Sequence, residues 1–189
     1  MHPDEIPAVL GDGDAVRAQL RTMFTDPPVL DADPDLSAVV PHTGGVPGVW
    51  IAPVGLASAT EVGATIYVHG RGFEHSNPPI ERIMAFRFAQ ATGRPAFAVD
   101  YRLAPAHPCP AAIEDVVAVY RSLVEDGIPA DRILLAGESA GATLVLSAVL
   151  VLKEAGDAMP AGVVSVSPIT DFSARKRATT SSIRRSWAR

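Results

Sequence analysis

The segment from Ile133 to Glu154 limits the possible folds more than any other. It begins with an apolar run, Ile133-Leu134-Leu135-Ala136, short enough for one strand. Five mostly small residues follow, Gly137-Glu138-Ser139-Ala140-Gly141. The stretch Ala140 to Glu154 then has helical length and is apolar almost all round. A helix without a polar face is expected in the interior of a domain. A strand, a tight turn and a fully covered helix in direct succession point to an α/β architecture.

The rest of the chain repeats that alternation. Gly48 to Pro53, Ala64 to Val68, Pro95 to Tyr101, Arg132 to Ala136 and Gly162 to Val166 are short, nearly continuous β-prone runs. Such runs suit strands buried on both faces. Ile80, Ile83, Met84 and Phe88 recur at helical spacing between the second and third runs. Ile113, Val116, Val117, Tyr120, Leu123 and Val124 do so between the third and fourth. The expected fold is a mostly parallel sheet with helices on both faces. Before it, Val16, Leu20, Met23 and Phe24 predict a helix that Asp14 caps and Asp26-Pro27-Pro28 ends, and Pro34 to Gly48 reads as loop or short edge strands.

At 189 residues, 48% hydrophobic and 20% charged, the chain fits one globular domain. A net charge of -5 gives it no electrostatic reason to bind nucleic acid. The single cysteine, Cys109, excludes an internal disulfide. Met1 to Gly13 has no basic start or apolar core of a targeting peptide, and Ala142 to Leu152 is too short to span a bilayer. The expectation is a soluble, cytoplasmic protein with no membrane contact, no cofactor and no metal. Its oligomeric state is not fixed by the sequence.

Gly137 to Gly141 matches G-x-S-x-G in the context that pattern needs, after a strand and opening a helix. The sharp turn lifts the Ser139 hydroxyl out at the strand end, and small neighbours allow the close approach it requires. The backbone N–H of Ala140, at the helix start, is then an oxyanion donor. A second loop, His69-Gly70-Arg71-Gly72-Phe73, follows the strand ending at Val68 and resembles the H-G-G-G loop that supplies a further donor. Arg71 stands where that loop has its middle glycine, which costs about 1–2 kcal/mol if the position needs positive φ.

A third segment, Asp100-Tyr101-Arg102-Leu103-Ala104-Pro105-Ala106-His107-Pro108, resembles the D-Y-R-L-A-P-E-H-P segment of the hormone-sensitive-lipase-like carboxylesterases. With the two loops, the resemblance runs from about Pro47 to Phe172. It implies an α/β-hydrolase fold, a small-molecule ester as substrate and Ser139 as nucleophile. It also implies oxyanion donors from the backbones of Arg71, Gly72 and Ala140. His69 and Gly70 match loop-supporting positions, and Asp100 and His107 match structural ones with an arginine or backbone partner. Residues 1–46 correspond to a cap helix and connecting loop, 47–172 to the N-terminal part of the core, and 173–189 to a basic tail, expected to be disordered.

Serine ester hydrolysis also needs a base and an acid to orient it, which in this fold follow the serine in the order acid, then histidine. His2, His42, His69, His75 and His107 all precede Ser139, and the acids after it are only Glu154, Asp157 and Asp171. Asp157 reads as part of a helix-to-strand turn, and Asp171 resembles the family's S-P-x-x-D segment. The triad acid and histidine are therefore missing, and the fold lacks the strands that would cover the edge after Val166. From Ser173 on there are six basic residues and no acid, whereas the part before carries 10 basic against 21 acidic residues. That contrast suggests a frameshift or truncated reading frame near Phe172. The expectation is an esterase by descent with impaired turnover. The alternatives are a ligand-binding remnant, a non-functional truncated fragment, or a half-enzyme completed by another chain.

Overall fold

The structure, a computed structural model, describes residues 34–35 and 42–172. The expected cap helix around Val16 to Phe24 and the basic tail from Ser173 lie outside the described residues.

Strands β1 (Pro34–Asp35), β2 (His42–Thr43) and β3 (Val46–Pro53) come first, then the short helix α1 (Ala59–Val62). Strand β4 (Ala64–Val68), helix α2 (Pro78–Thr92) and strand β5 (Ala96–Val99) follow. Helix α3 (Ala111–Glu125), strand β6 (Ile133–Glu138), helix α4 (Ala140–Ala155) and strand β7 (Gly162–Val166) complete the described core. The sheet order is β1-β3-β5-β4-β6-β7, with β2 also paired to β3. Strands β5, β4, β6 and β7 are mutually parallel, whereas β3 is antiparallel to β5 and to the short strands β1 and β2.

This order positions the site. After β4 the chain moves through α2 to β5 on one side, and after β6 it moves through α4 to β7 on the other. Neighbouring strands whose connections leave in opposite directions open a crevice at their C-terminal ends, where ligands bind in open α/β sheets. Here that switch point lies between Val68 and Glu138, at the start of both glycine-containing loops.

The two faces of β4 show why its residues alternate as they do. Ile66 and Val68 join the apolar cluster with Val116, Val119 and Tyr120 of α3 and Leu144, Val145 and Ala148 of α4. Thr65 and Tyr67 face α2 instead: the Thr65 and Thr92 hydroxyls bond at 3.1 Å, and the Tyr67 and Phe88 rings lie 5.6 Å apart. Right-handed crossovers produce this division, with α2 on one face and α3 and α4 on the other.

Two helices differ from expectation. In α2 the buried residues are Glu81, Ala85, Phe86 and Ala89, while Ile80, Ile83, Met84 and Phe88 are only half-buried. The two alanines allow close packing around Phe86, so the buried stripe is rotated from the one the sequence spacing suggested. Helix α4 is not covered all round: Leu146, Leu150 and Val151 are 37%, 61% and 40% exposed. Its neighbour β7 exposes Val164 and Val166. No described element packs over that side, so an apolar sequence does not translate into burial there.

Candidate active site

Ser139 follows β6 directly and precedes the first residue of α4. Its backbone sits at φ 50°, ψ -116°, a conformation L-residues rarely adopt. The turn is held on both sides. Ser139 N–H donates to Val166 O of β7 at 2.9 Å, and Thr143 N–H donates to Ser139 O at 3.2 Å. Thr143 Oγ1 also donates to Ile169 O and accepts from Ile169 N–H, both at 2.9 Å, which ties the Ser167-Pro168-Ile169-Thr170-Asp171 segment to α4.

The flanking glycines are required by close approach. A Cβ on Gly141 would overlap the carbonyl oxygens of Val68 and His69, and one on Gly137 would lie 2.6 Å from the Gly141 carbonyl. The helix start therefore presses against the end of β4, which brings the other loop alongside. A Cβ on Gly70 would lie 3.2 Å from Ser139 Cβ and 3.0 Å from Glu138 O. Gly70 thus lies directly against the Ser139 turn.

In the loop after β4, Arg71, Gly72 and Phe73 all have positive φ, at 72°, 67° and 68°. Arg71 does occupy the conformation that favours glycine, and the sequence departure carries the anticipated strain. His69 is buried and stacked on Tyr101, with ring centroids 4.3 Å apart. Its Nδ1 lies 3.1 Å from Gly70 O and 3.5 Å from Glu81 Oε1. Both neighbours are acceptors, so Nδ1 carries the proton. His69 therefore contacts the loop through Gly70 O and α2 through Glu81.

Three residues absent from the sequence expectations complete the shell. Glu138 Oε2 accepts from Tyr67 OH at 2.7 Å and Oε1 accepts from Gly70 N–H at 3.3 Å. Tyr101 OH lies within hydrogen-bonding reach of His69 O, at 3.0 Å, and Gly70 O, at 3.2 Å. Glu81 accepts from Ser76 Oγ and from Asn77 N–H at the start of α2. Burial, then the nearby Glu138, raises the Tyr67 phenol above its ordinary value; burial, then Glu81, raises that of Tyr101. The sequence signal for Tyr101 was its place in the third motif, while nothing in the spacing pointed to Glu138 as a partner of the other loop.

The motif around Asp100 is tied down through its backbone. Asp100 N–H donates to Pro47 O at 2.9 Å and His107 N–H to Leu103 O at 2.9 Å. The segment's arginine pairs with a residue the motif does not contain: Arg102 Nε donates to Asp115 Oδ1 at 2.9 Å, and its backbone N–H to Oδ2 at 2.8 Å. Asp115 is buried on α3, so this pair fixes the motif to the core.

Among the described residues no hydrogen bond reaches Ser139 Oγ, and His75 and His107 are exposed. A cavity of about 260 Å³ borders the start of the loop after β4, lined by Val49, Tyr67, His69, Glu81 and Asp100 among others, but not by Ser139. No described helix is long and apolar enough to cross a membrane, and no group of three metal-binding side chains occurs among the described residues.

A family profile described as the alpha/beta hydrolase fold matches residues 65–188. A crystal structure of an esterase from the bacterial hormone-sensitive lipase family superposes with a TM-score of 0.69 at 34% identity, over 84% of this chain and 52% of that one. The chain belongs to the hormone-sensitive-lipase-like branch of the α/β-hydrolase family. An acetyl-hydrolase of Streptomyces hygroscopicus is 40% identical over 124 residues, 65% of this chain and 40% of that protein. An esterase of Acinetobacter venetianus is 34% identical over 156 residues, 77% of this chain and 49% of that protein. This hydrolase chain therefore spans about half the length of the curated relatives it matches. The profile continues past Phe172 into the basic segment.

Proposed function

We propose that this chain carries the nucleophile side of a carboxylic ester hydrolase acting on small-molecule esters. In this reading Ser139 Oγ attacks the acyl carbon and loses its proton to a base. The carbonyl oxygen becomes an oxyanion at the backbone N–H groups of Arg71, Gly72 and Ala140. The alcohol then leaves with a proton, and water releases the acid and restores Ser139. The observation that carries the reading is the approach of Gly70 to Ser139 Cβ, which sets the loop after β4 against the strained nucleophile turn.

The reading includes weak turnover. No histidine follows Ser139 in residues 1–189, and the other ring nitrogen of His69, Nε2, is buried and makes no hydrogen bond to Ser139 among the described residues. Loss of the base in a comparable serine enzyme lowers kcat by roughly 10⁶. Purified protein is expected to release p-nitrophenol from a short-chain p-nitrophenyl ester no faster than its Ser139→Ala variant. Ser139-dependent release at an ordinary enzymatic rate would mean that a base is present in the chain. A second reading, a non-catalytic ligand-binding remnant or non-functional fragment, is favoured by the exposed apolar side formed by Leu150, Val151, Val164 and Val166. Failure of the protein to melt cooperatively would favour the fragment.

A further inference from the structure

We infer that Glu138 and Tyr101 are positioning residues that clamp the two peptide planes of Gly70 and thereby aim the Arg71 N–H at the substrate oxygen. The inference rests on the hydrolase reading of Ser139 and adds to it a pair of residues that touch no substrate.

The His69–Gly70 peptide is held at both ends. Its carbonyl, His69 O, lies 3.0 Å from Tyr101 OH, and its N–H, on Gly70, donates to Glu138 Oε1 at 3.3 Å. The next plane, Gly70–Arg71, is held through its carbonyl: Gly70 O lies 3.2 Å from Tyr101 OH and 3.1 Å from His69 Nδ1. In a trans peptide the C=O and N–H point in opposite directions. Fixing Gly70 O toward the buried Tyr101 and His69 therefore turns the Arg71 N–H the other way. Glu138 meanwhile occupies the Gly70 N–H, which removes that amide from the possible oxyanion donors and leaves the role to Arg71 and Gly72.

Glu138 is itself locked. Its second oxygen accepts from Tyr67 OH at 2.7 Å, and Tyr67 is anchored by its place in β4 and by Phe88 of α2. The carboxylate sits immediately before Ser139 in the chain. One residue of the nucleophile turn thus sets the geometry of the opposite loop, and the two halves of the site are registered to each other without a substrate. Arg71 at φ 72° needs such support more than a glycine would, because the loop must hold an L-residue in a strained conformation.

Amide hydrogen exchange on the full chain tests this. In Glu138→Ala the Gly70 N–H should exchange at least about tenfold faster than in the wild type, as expected for loss of a hydrogen bond to a charged group. Glu138→Gln, which keeps an acceptor, should restore part of the protection. The amides of Ile66 and Leu135 should not change, which separates positioning from general destabilisation. Tyr101→Phe keeps the ring against His69 and should alter the Arg71 amide proton shift while β4 stays protected; it also serves if Glu138→Ala does not fold. Equal Gly70 exchange in wild type and Glu138→Ala, or an unchanged Arg71 amide in Tyr101→Phe, would overturn the inference. A protected Gly70 in a protein whose Ser139 never becomes acylated would leave the clamp standing and remove the hydrolase reading instead.

Discussion

Strands β4 and β7 are both five residues long, both parallel to β6, and nearly equal in apolar character. Every residue of Ala64–Val68 is buried, whereas none of Gly162–Val166 is. The difference lies in their neighbours. Strand β4 has β5 and β6 beside it, α2 on one face and α3 and α4 on the other. Among the described residues strand β7 has β6 on one side only, and the adjoining helix leaves Leu150 61% exposed. The same kind of sequence is thus core in one place and open edge in another. The site follows the same line: the loop after β4 rests on the core, the Ser139 turn is tied on its other side to Val166 O of β7, and beyond β7 no described residue adds to it.

The contrast is broken most strongly at two glycines. Gly141→Ala puts a methyl group into the Val68 and His69 carbonyls and should lower stability by about 4 kcal/mol or more. Gly162→Ala on β7 meets only Leu134 Cδ2 at 3.4 Å, an ordinary contact, and should be tolerated. Urea unfolding of both variants reads the difference. Next in size, Ile66→Ala should cost about 3 kcal/mol by leaving a cavity in a fully buried site. Val166→Ala, nearly half exposed, should change stability by less than about 0.5 kcal/mol.

The buried tyrosines sharpen the contrast through pH. Both Tyr67 and Tyr101 hold their protons more tightly in the folded protein than the ordinary value of 10.0, chiefly because of burial. Their contribution is fully present below pH 10 and is lost as pH rises toward the folded values, because only the unfolded chain ionises there. Stability should fall above pH 10 by on the order of 1 kcal/mol per pH unit for each tyrosine. Tyr101→Phe should flatten that slope in alkaline melts. A smaller effect is expected at Arg71, where glycine relieves the positive φ and should raise stability by about 1 kcal/mol. Smallest of all, Val164→Lys should leave the melt unchanged while reducing self-association through the open edge, measured by light scattering.

Much of this was legible in the residues. Short β-prone runs separated by helical periodicity gave the order of the core elements, because buried parallel strands must be apolar throughout. Gly137 and Gly141 marked the nucleophile turn, since only residues without a side chain fit where strand and helix touch. The positive φ of Arg71 was legible as a departure from a glycine position. What stayed hidden were partners distant in sequence. Glu138 and Gly70 are 68 residues apart, and Arg102 and Asp115 lie on different elements, so no local spacing joins them. The exposure of α4 was hidden too, because an apolar helix reads the same whether or not a neighbour covers it.

Chemical rescue tests the central proposal most directly: residues 1–189 carry the nucleophile side of the site, and no histidine follows Ser139 among them. The protein would be incubated with p-nitrophenyl butyrate, with and without imidazole, and Ser139 examined by mass spectrometry for a butyryl group, with Ser139→Ala as control. The account predicts that acylation at Ser139 appears or rises strongly only with imidazole, which supplies a base. Rapid Ser139-dependent turnover without imidazole, or no acylation of a folded protein even with it, would contradict the account.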